Sequence, residues 1–184
     1  MGNILSKNIK KNSVYAQGGI TLLLAFTTYQ ANGLTPSATY TQSVVPGQEH
    51  IVTGVAIAVD VKAHVLEFDE DKASFGQNLV VGNNRYIKQQ VGMTFSGTSG
   101  DKNEIMKSFD LGKHTFACKT RMGKYMLLGR ENGLVSEKND SGSGSAPGDL
   151  NGYDLIVSGA ENGHAQELTQ EAWDALVAAL GPDA

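Results

Sequence analysis

The stretch from Met122 to Ser158 constrains this chain most, because strand-forming runs alternate there with turn chemistry at short intervals. Three runs, Tyr125 to Leu128, Gly133 to Val135 and Tyr153 to Val157, are separated by glycine-containing turns. Arg121 to Lys124 reads as a tight reversal into the first. Glu131 to Gly133 and Asp149 to Gly152 read as turns, because Asn-Gly readily supplies the positive φ that a tight turn demands. Gly129, Gly133, Asp149, Asn151 and Gly152 are therefore read as turn-forming, structural residues.

One domain of 184 residues, 40% hydrophobic, is expected to build a single core. The 22 glycines against 4 prolines, set among alternating apolar runs, suit a protein of strands and turns. A net charge of -4 gives no electrostatic case for gripping nucleic acid by its phosphates. The single cysteine, Cys118, cannot make an internal disulfide or a cysteine-based zinc site, and its alternating surroundings predict a small buried thiol. No apolar run approaches the about 18 residues of a membrane helix, Ile20 to Phe26 being far too short. Nothing resembles a secretory signal, so a soluble protein made inside a cell is expected. Met1 to Ser6 matches the myristoylation pattern by letter, but Lys7, Lys10 and Lys11 fit a solvated N-terminal arm over residues 1–13 better.

Ile20 to Thr28 reads as a strand buried on both faces at its centre. Residues 29–50 are polar and turn-rich, and read as a projecting hairpin or arm, an excursion too long for a compact domain without a use. Ile51 to Val61 predicts a strong strand with Val55, Ile57, Val59 and Val61 on one face. Lys62 to Phe68 continues in strand register, and Glu67, Asp69, Glu70 and Asp71 form an acidic turn that lacks calcium-loop spacing. Ala73 to Val81 and Arg85 to Ser96 predict a hairpin, the second strand being largely polar.

Lys102 to Leu111 predicts a short helix with Ile105, Met106 and Phe109 inward, Asp101 as N-cap and Gly112 as stop. His114 to Thr120 and Lys124 to Leu128 predict another hairpin. Residues 136–148, rich in Ser and Gly, read as a flexible loop, and the absence of a following Lys-Ser/Thr and helix argues against a phosphate cradle. A C-terminal helix within 169–181 is capped by Thr169 and apolar at Ala172, Trp173, Leu176, Val177 and Leu180.

The histidines at 50, 64, 114 and 164 are scattered and form no metal-binding pair. No nucleophile elbow is present. His114 and Cys118 share a strand face but lie about 13 Å apart, too far for a base and nucleophile. No enzyme activity, catalytic residue, cofactor or metal is expected.

Gly18 and Gly19 before the first strand, Tyr125 with Leu128 and Gly129, the run Glu131 to Leu134, the Ser/Gly loop, and Gly148 to Tyr153 before the last strand together resemble tail tube proteins, virion structural proteins of tailed phages of Bacteroidetes-type hosts. The likeness covers residues 14–160 in layout and Met122 to Val157 by motif. It implies a mainly β fold: two packed antiparallel sheets or a flattened barrel, with one flanking helix. The C-terminal helix, with Trp173, has no place in that scheme. It also implies a partner, further copies of the same chain, in rings that are usually hexamers and stack into a tube. Other tail proteins would adjoin it, and DNA would pass through without specific binding. The implied location is the virion tail, after synthesis in the host bacterial cytoplasm, with no membrane. Tyr40, Gln42, Val44 and Val45 would make the inter-ring contacts of the arm. Arg85, Lys88, Gln90, Asp60 and Glu67 are the candidate lumen-facing residues. Two alternatives remain: another virion part, such as a head decoration or tail terminator protein, or a stand-alone domain binding calcium or carbohydrate through Asp149, Asn151 and Asp154.

Overall fold

The computed structural model describes residues 18–69, 71–146 and 148–181. The N-terminal arm, its lysines, the myristoylation pattern and Glu70 lie outside the described residues. The fold is mainly β, two packed sheets with two helices and no closed barrel.

The larger sheet is assembled around β1 (Ile20–Thr27), β7 (His114–Thr120) and β8 (Tyr125–Leu128). β11 (Gln166–Leu168), β3 (Ile51–Ile57) and β2 (Ala38–Gln42) extend it on one side, and β4 (His64–Val65) closes the other. Its pairs are antiparallel except β3 with β11, which is parallel. The smaller sheet runs β5 (Ala73–Val81), β6 (Arg85–Ser96), β10 (Gly152–Glu161), β9 (Val135–Gly142), all antiparallel.

Two cores result, one on each face of the larger sheet. Between the sheets, Leu23 and Ala25 of β1 meet Phe116 and Cys118 of β7 and Val91, Met93 and Leu155 of the smaller sheet. On the opposite face, Leu24 and Phe26 join Ala117, Leu127 and Val52 under Trp173 and Leu176. A strand covered on both faces has no use for alternation, which is why β1 reads LLLAF without a polar break. Each fully buried leucine contributes about 1.5–3 kcal/mol relative to exposure.

Helix α1 (Gly100–Leu111) is capped by Ser99, whose side chain accepts the N–H of Lys102, while Asp101 sits in its first turn. Ser99 displaces Asp101 as cap because the helix begins two residues earlier than the sequence suggests. Met106 and Phe109 enter the core, but Ile105 faces out. Helix α2 (Gln170–Ala178) starts at Thr169, which accepts the N–H of Ala172 as expected. Its apolar face is Ala172, Trp173 and Leu176; Val177 is exposed. Tyr125 stacks on Trp173 with ring centroids 4.7 Å apart.

Several expectations are corrected by pairing that local sequence cannot report. Within residues 29–50, β2 forms the edge of the larger sheet against β3, and 43–50 are the hairpin tip. β3 ends at Ile57, and Val59, 89% exposed, has left the apolar face. A bulge opposite Thr41 and Gln42 brings Val52 onto the same core as Val55 and Ile57, breaking strict alternation. Lys62 to Phe68 holds only the two-residue β4. Gly133 to Val135 is not a strand of its own; Leu134 makes an isolated bridge to His114. The first half of the supposed loop at 136–148 is β9, paired along β10 from Gly152 to Ser158. Its polar side chains disguise it, since one face meets solvent and Asn139 on the other donates to the Met106 carbonyl of α1. β11 has no signature in the sequence, because three residues are too few to show a period.

Candidate functional site

Three features stand out: the open face of the smaller sheet, the apolar tips, and a buried polar clamp that joins the sheets.

The inner face of β6 is Ile87, Gln89, Val91, Met93 and Phe95, all buried, so Tyr86, Lys88, Gln90, Gly92 and Thr94 face outward. Gln90 lies between Gly76 and Ser158, and Thr94 beside Asp154. Small side chains here leave a shallow groove of about 340 Å³ over Ser74, Gly76, Gln90 and Gly92. Two lysines on this face are paired. Lys88 meets Glu137 at 2.8 Å, and Lys138 sits between Asp154 and Asp140. The Lys88 hydrogen bond holds the Glu137 carboxyl below its ordinary range, and Asp154 with Asp140 raises Lys138.

Of the expected lumen residues, Lys88 and Gln90 share this face. Arg85 lies at the turn end of the β5–β6 hairpin, opposite Val81. Asp60 and Glu67 lie elsewhere, in the connections flanking β4. Of the expected arm residues, Val44 is 95% and Val45 50% exposed, at the tip of the β2–β3 hairpin, with Gln42 at its base. Tyr40 is different: its ring packs against the chain's own core, and burial pushes its hydroxyl up to about 12. A second apolar tip, Leu79 and Val81, ends the β5–β6 hairpin.

The calcium candidates do not converge. Asp149 accepts from the backbone of Ser145 and Ala146, which lowers its carboxyl. The Asn151 carbonyl accepts from Gly97, and Asp154 belongs to Lys138. Gly152 is required sterically, since a Cβ there would lie 1.9 Å from the Phe95 carbonyl oxygen. In the acidic turn, Asp69 accepts from Ser96 and Asp71 pairs with Arg121. Among the described residues, no three His, Cys, Asp or Glu side chains gather around a possible ion.

Sequence reasoning missed the clamp. Glu161, 3% exposed, accepts the backbone N–H groups of Glu131 and Asn132 at 3.1 and 2.9 Å. Burial raises its carboxyl above the ordinary range, and those N–H groups offset only part of that. Gln89, equally buried, accepts the Gly129 N–H and donates to the Gly163 carbonyl, both at 2.9 Å. Arg130 pairs with Glu131 and donates to Gln166, holding the Glu131 carboxyl low. A cavity of about 40 Å³ lies among these side chains. A larger groove of about 610 Å³ opens beside Arg130 and Glu131, floored by Tyr29, Pro36 and Tyr40. The available signal was Gln89 itself, a polar residue in the middle of an otherwise apolar strand face.

No protein-family model matches this chain, and no curated protein and no solved structure matches it.

Proposed function

We propose that this chain is a self-assembling structural subunit of a phage tail tube, forming rings that stack into a conduit for DNA. The observation that supports it best is the smaller sheet, which ends at β5 and β9 with no strand beyond either among the described residues. An edge strand presents unpaired backbone donors and acceptors, and a second copy satisfies them by continuing the ladder. With β5 of one copy beside β9 of the next, the groove face with Lys88 and Gln90 becomes the inner wall of a hexameric ring. Pairing of Lys88 with Glu137 and of Lys138 with Asp154, in a protein of net charge -4, favours passage of phosphates over adhesion. The β2–β3 tip, with Val44 and Val45, supplies the contact between rings.

Negative-stain microscopy of the purified protein over a range of salt and concentration tests this. Rings or tubes are expected. A chain that stays monomeric under every condition overturns the proposal, and rings that never stack redirect it to a head decoration or tail terminator role.

A further inference from the structure

Four Asn-Gly pairs occur in the described chain, at 32–33, 132–133, 151–152 and 162–163. Such a pair cyclises when the glycine nitrogen attacks the asparagine side-chain carbonyl carbon, because no Cβ obstructs the approach. The attack needs a glycine N–H without another commitment and a backbone able to turn toward the side chain.

The fold separates the four. Gly33 donates its N–H to the Gln30 carbonyl at 2.8 Å, and the Asn32 side-chain oxygen is held by the N–H groups of Leu34 and Thr35. Gly133 is hemmed in by Thr28 and Lys113, and the Asn132 side-chain amide is held by the Ala160 carbonyl at 2.8 Å, so that turn has little freedom to bring the two together. Gly152 lies in the β10 ladder, between Ser96 and Gly142. Gly163 sits in an exposed bend between β10 and β11, and among the described residues its N–H has no protein acceptor. Only its carbonyl is held, by Gln89. Beside it, Asn162 donates its amide to the Glu131 carboxylate at 2.6 Å.

We propose that Asn162–Gly163 is a self-modification site placed on the clamp. The Gly163 nitrogen bonds to Cγ of Asn162, the Cγ–Nδ2 bond breaks, and Nδ2 leaves as ammonia with the proton lost from Gly163. Water then opens the cyclic imide to aspartate or isoaspartate. Either product loses the amide that donated to Glu131 and adds a negative charge beside it, and aspartate puts its carboxylate in the amide's own place, turning an attraction into a like-charge contact. Isoaspartate also lengthens the main chain beside the carbonyl that Gln89 holds. Reaction at this bend therefore loosens the joint between the sheets, independently of any assembly role.

The test is to age the intact protein in mildly alkaline buffer and map aspartate and isoaspartate by peptide mass spectrometry, with the denatured chain as control. Asn162 is expected to convert about tenfold faster than Asn32, Asn132 or Asn151 in the folded protein, a factor equal to about 1.4 kcal/mol of barrier, comparable to the one net backbone hydrogen bond that must open elsewhere. The denatured chain is expected to lose this ranking. Equal or faster conversion at any of the other three, or an unchanged ranking after denaturation, overturns the proposal. Asn162→Gln, which retains the amide donor but cyclises poorly, should stop the ageing. Asn162→Asp should melt lower than the unaged protein from the outset; an unaltered melting temperature overturns the predicted loosening.

Discussion

The Glu161 carboxylate, at the end of β10, accepts the backbone N–H of Asn132 at 2.9 Å and so ties the smaller sheet to the turn that follows β8. The neighbouring Glu131 N–H joins it at 3.1 Å, making the carboxylate the anion in a concave run of backbone donors. Removing it strands buried donors. Glu161→Ala should cost about 1–3 kcal/mol per N–H left unpaired, measured by urea denaturation.

The same residue has a pH signature. Its carboxyl is raised above 4.5 in the folded state, so the folded protein binds this proton more readily than the unfolded chain. That contribution to stability is complete below the unfolded value and is lost as pH rises through the folded one. The stability of the wild type relative to Glu161→Gln should therefore increase as pH is lowered through this window. A difference independent of pH contradicts the assignment.

His114 gives the opposite slope. Burial against Phe109, ring centroids 4.7 Å apart, lowers its imidazole below 6.5. Stability from the neutral ring is present above 6.5 and is lost as pH falls through the folded value. His114→Phe should flatten that part of the stability-pH curve while Glu161→Gln leaves it in place. An unchanged slope in the phenylalanine variant refutes the prediction.

Gly133 has φ +74°, and a Cβ there would approach the Thr28 hydroxyl oxygen to 2.4 Å. Gly133→Ala should lower stability by about 1–3 kcal/mol, the usual cost of forced overpacking, with the backbone strain added to it. Trp173→Ala, emptying the core beneath α2, should cost about 3–5 kcal/mol. Calorimetry of both variants checks the order of the two effects.

Val44→Asp combined with Val45→Asp tests the assembly proposal without touching the fold. Both side chains project from the hairpin tip into solvent, so monomer stability should change by no more than about 0.5 kcal/mol. Stacking of rings should be lost. Tubes that form as readily as in the wild type exclude the tip as a stacking contact.

The sequence by itself determined where the chain is apolar and where it turns. Leu23 to Phe26, Phe116 to Cys118 and Tyr153 to Val157 had to be strands, and the thiol of Cys118 had to be buried. Thr169 had to begin a helix. These are local properties, written in period, propensity and capping chemistry. Only the tertiary structure decided that Ser136 to Gly142 is a strand, because its pairing comes from β10 and not from its own residues. It alone gave Tyr40 to the core and Val59 to solvent, since a bulge in the β2–β3 ladder and the end of β3 at Ile57 set those faces. It alone brought Gln89, Glu131 and Glu161 together, far apart in sequence, around one turn. Gln89 apart, the members of this buried polar joint are invisible locally, because each looks like an ordinary surface residue until its partners arrive.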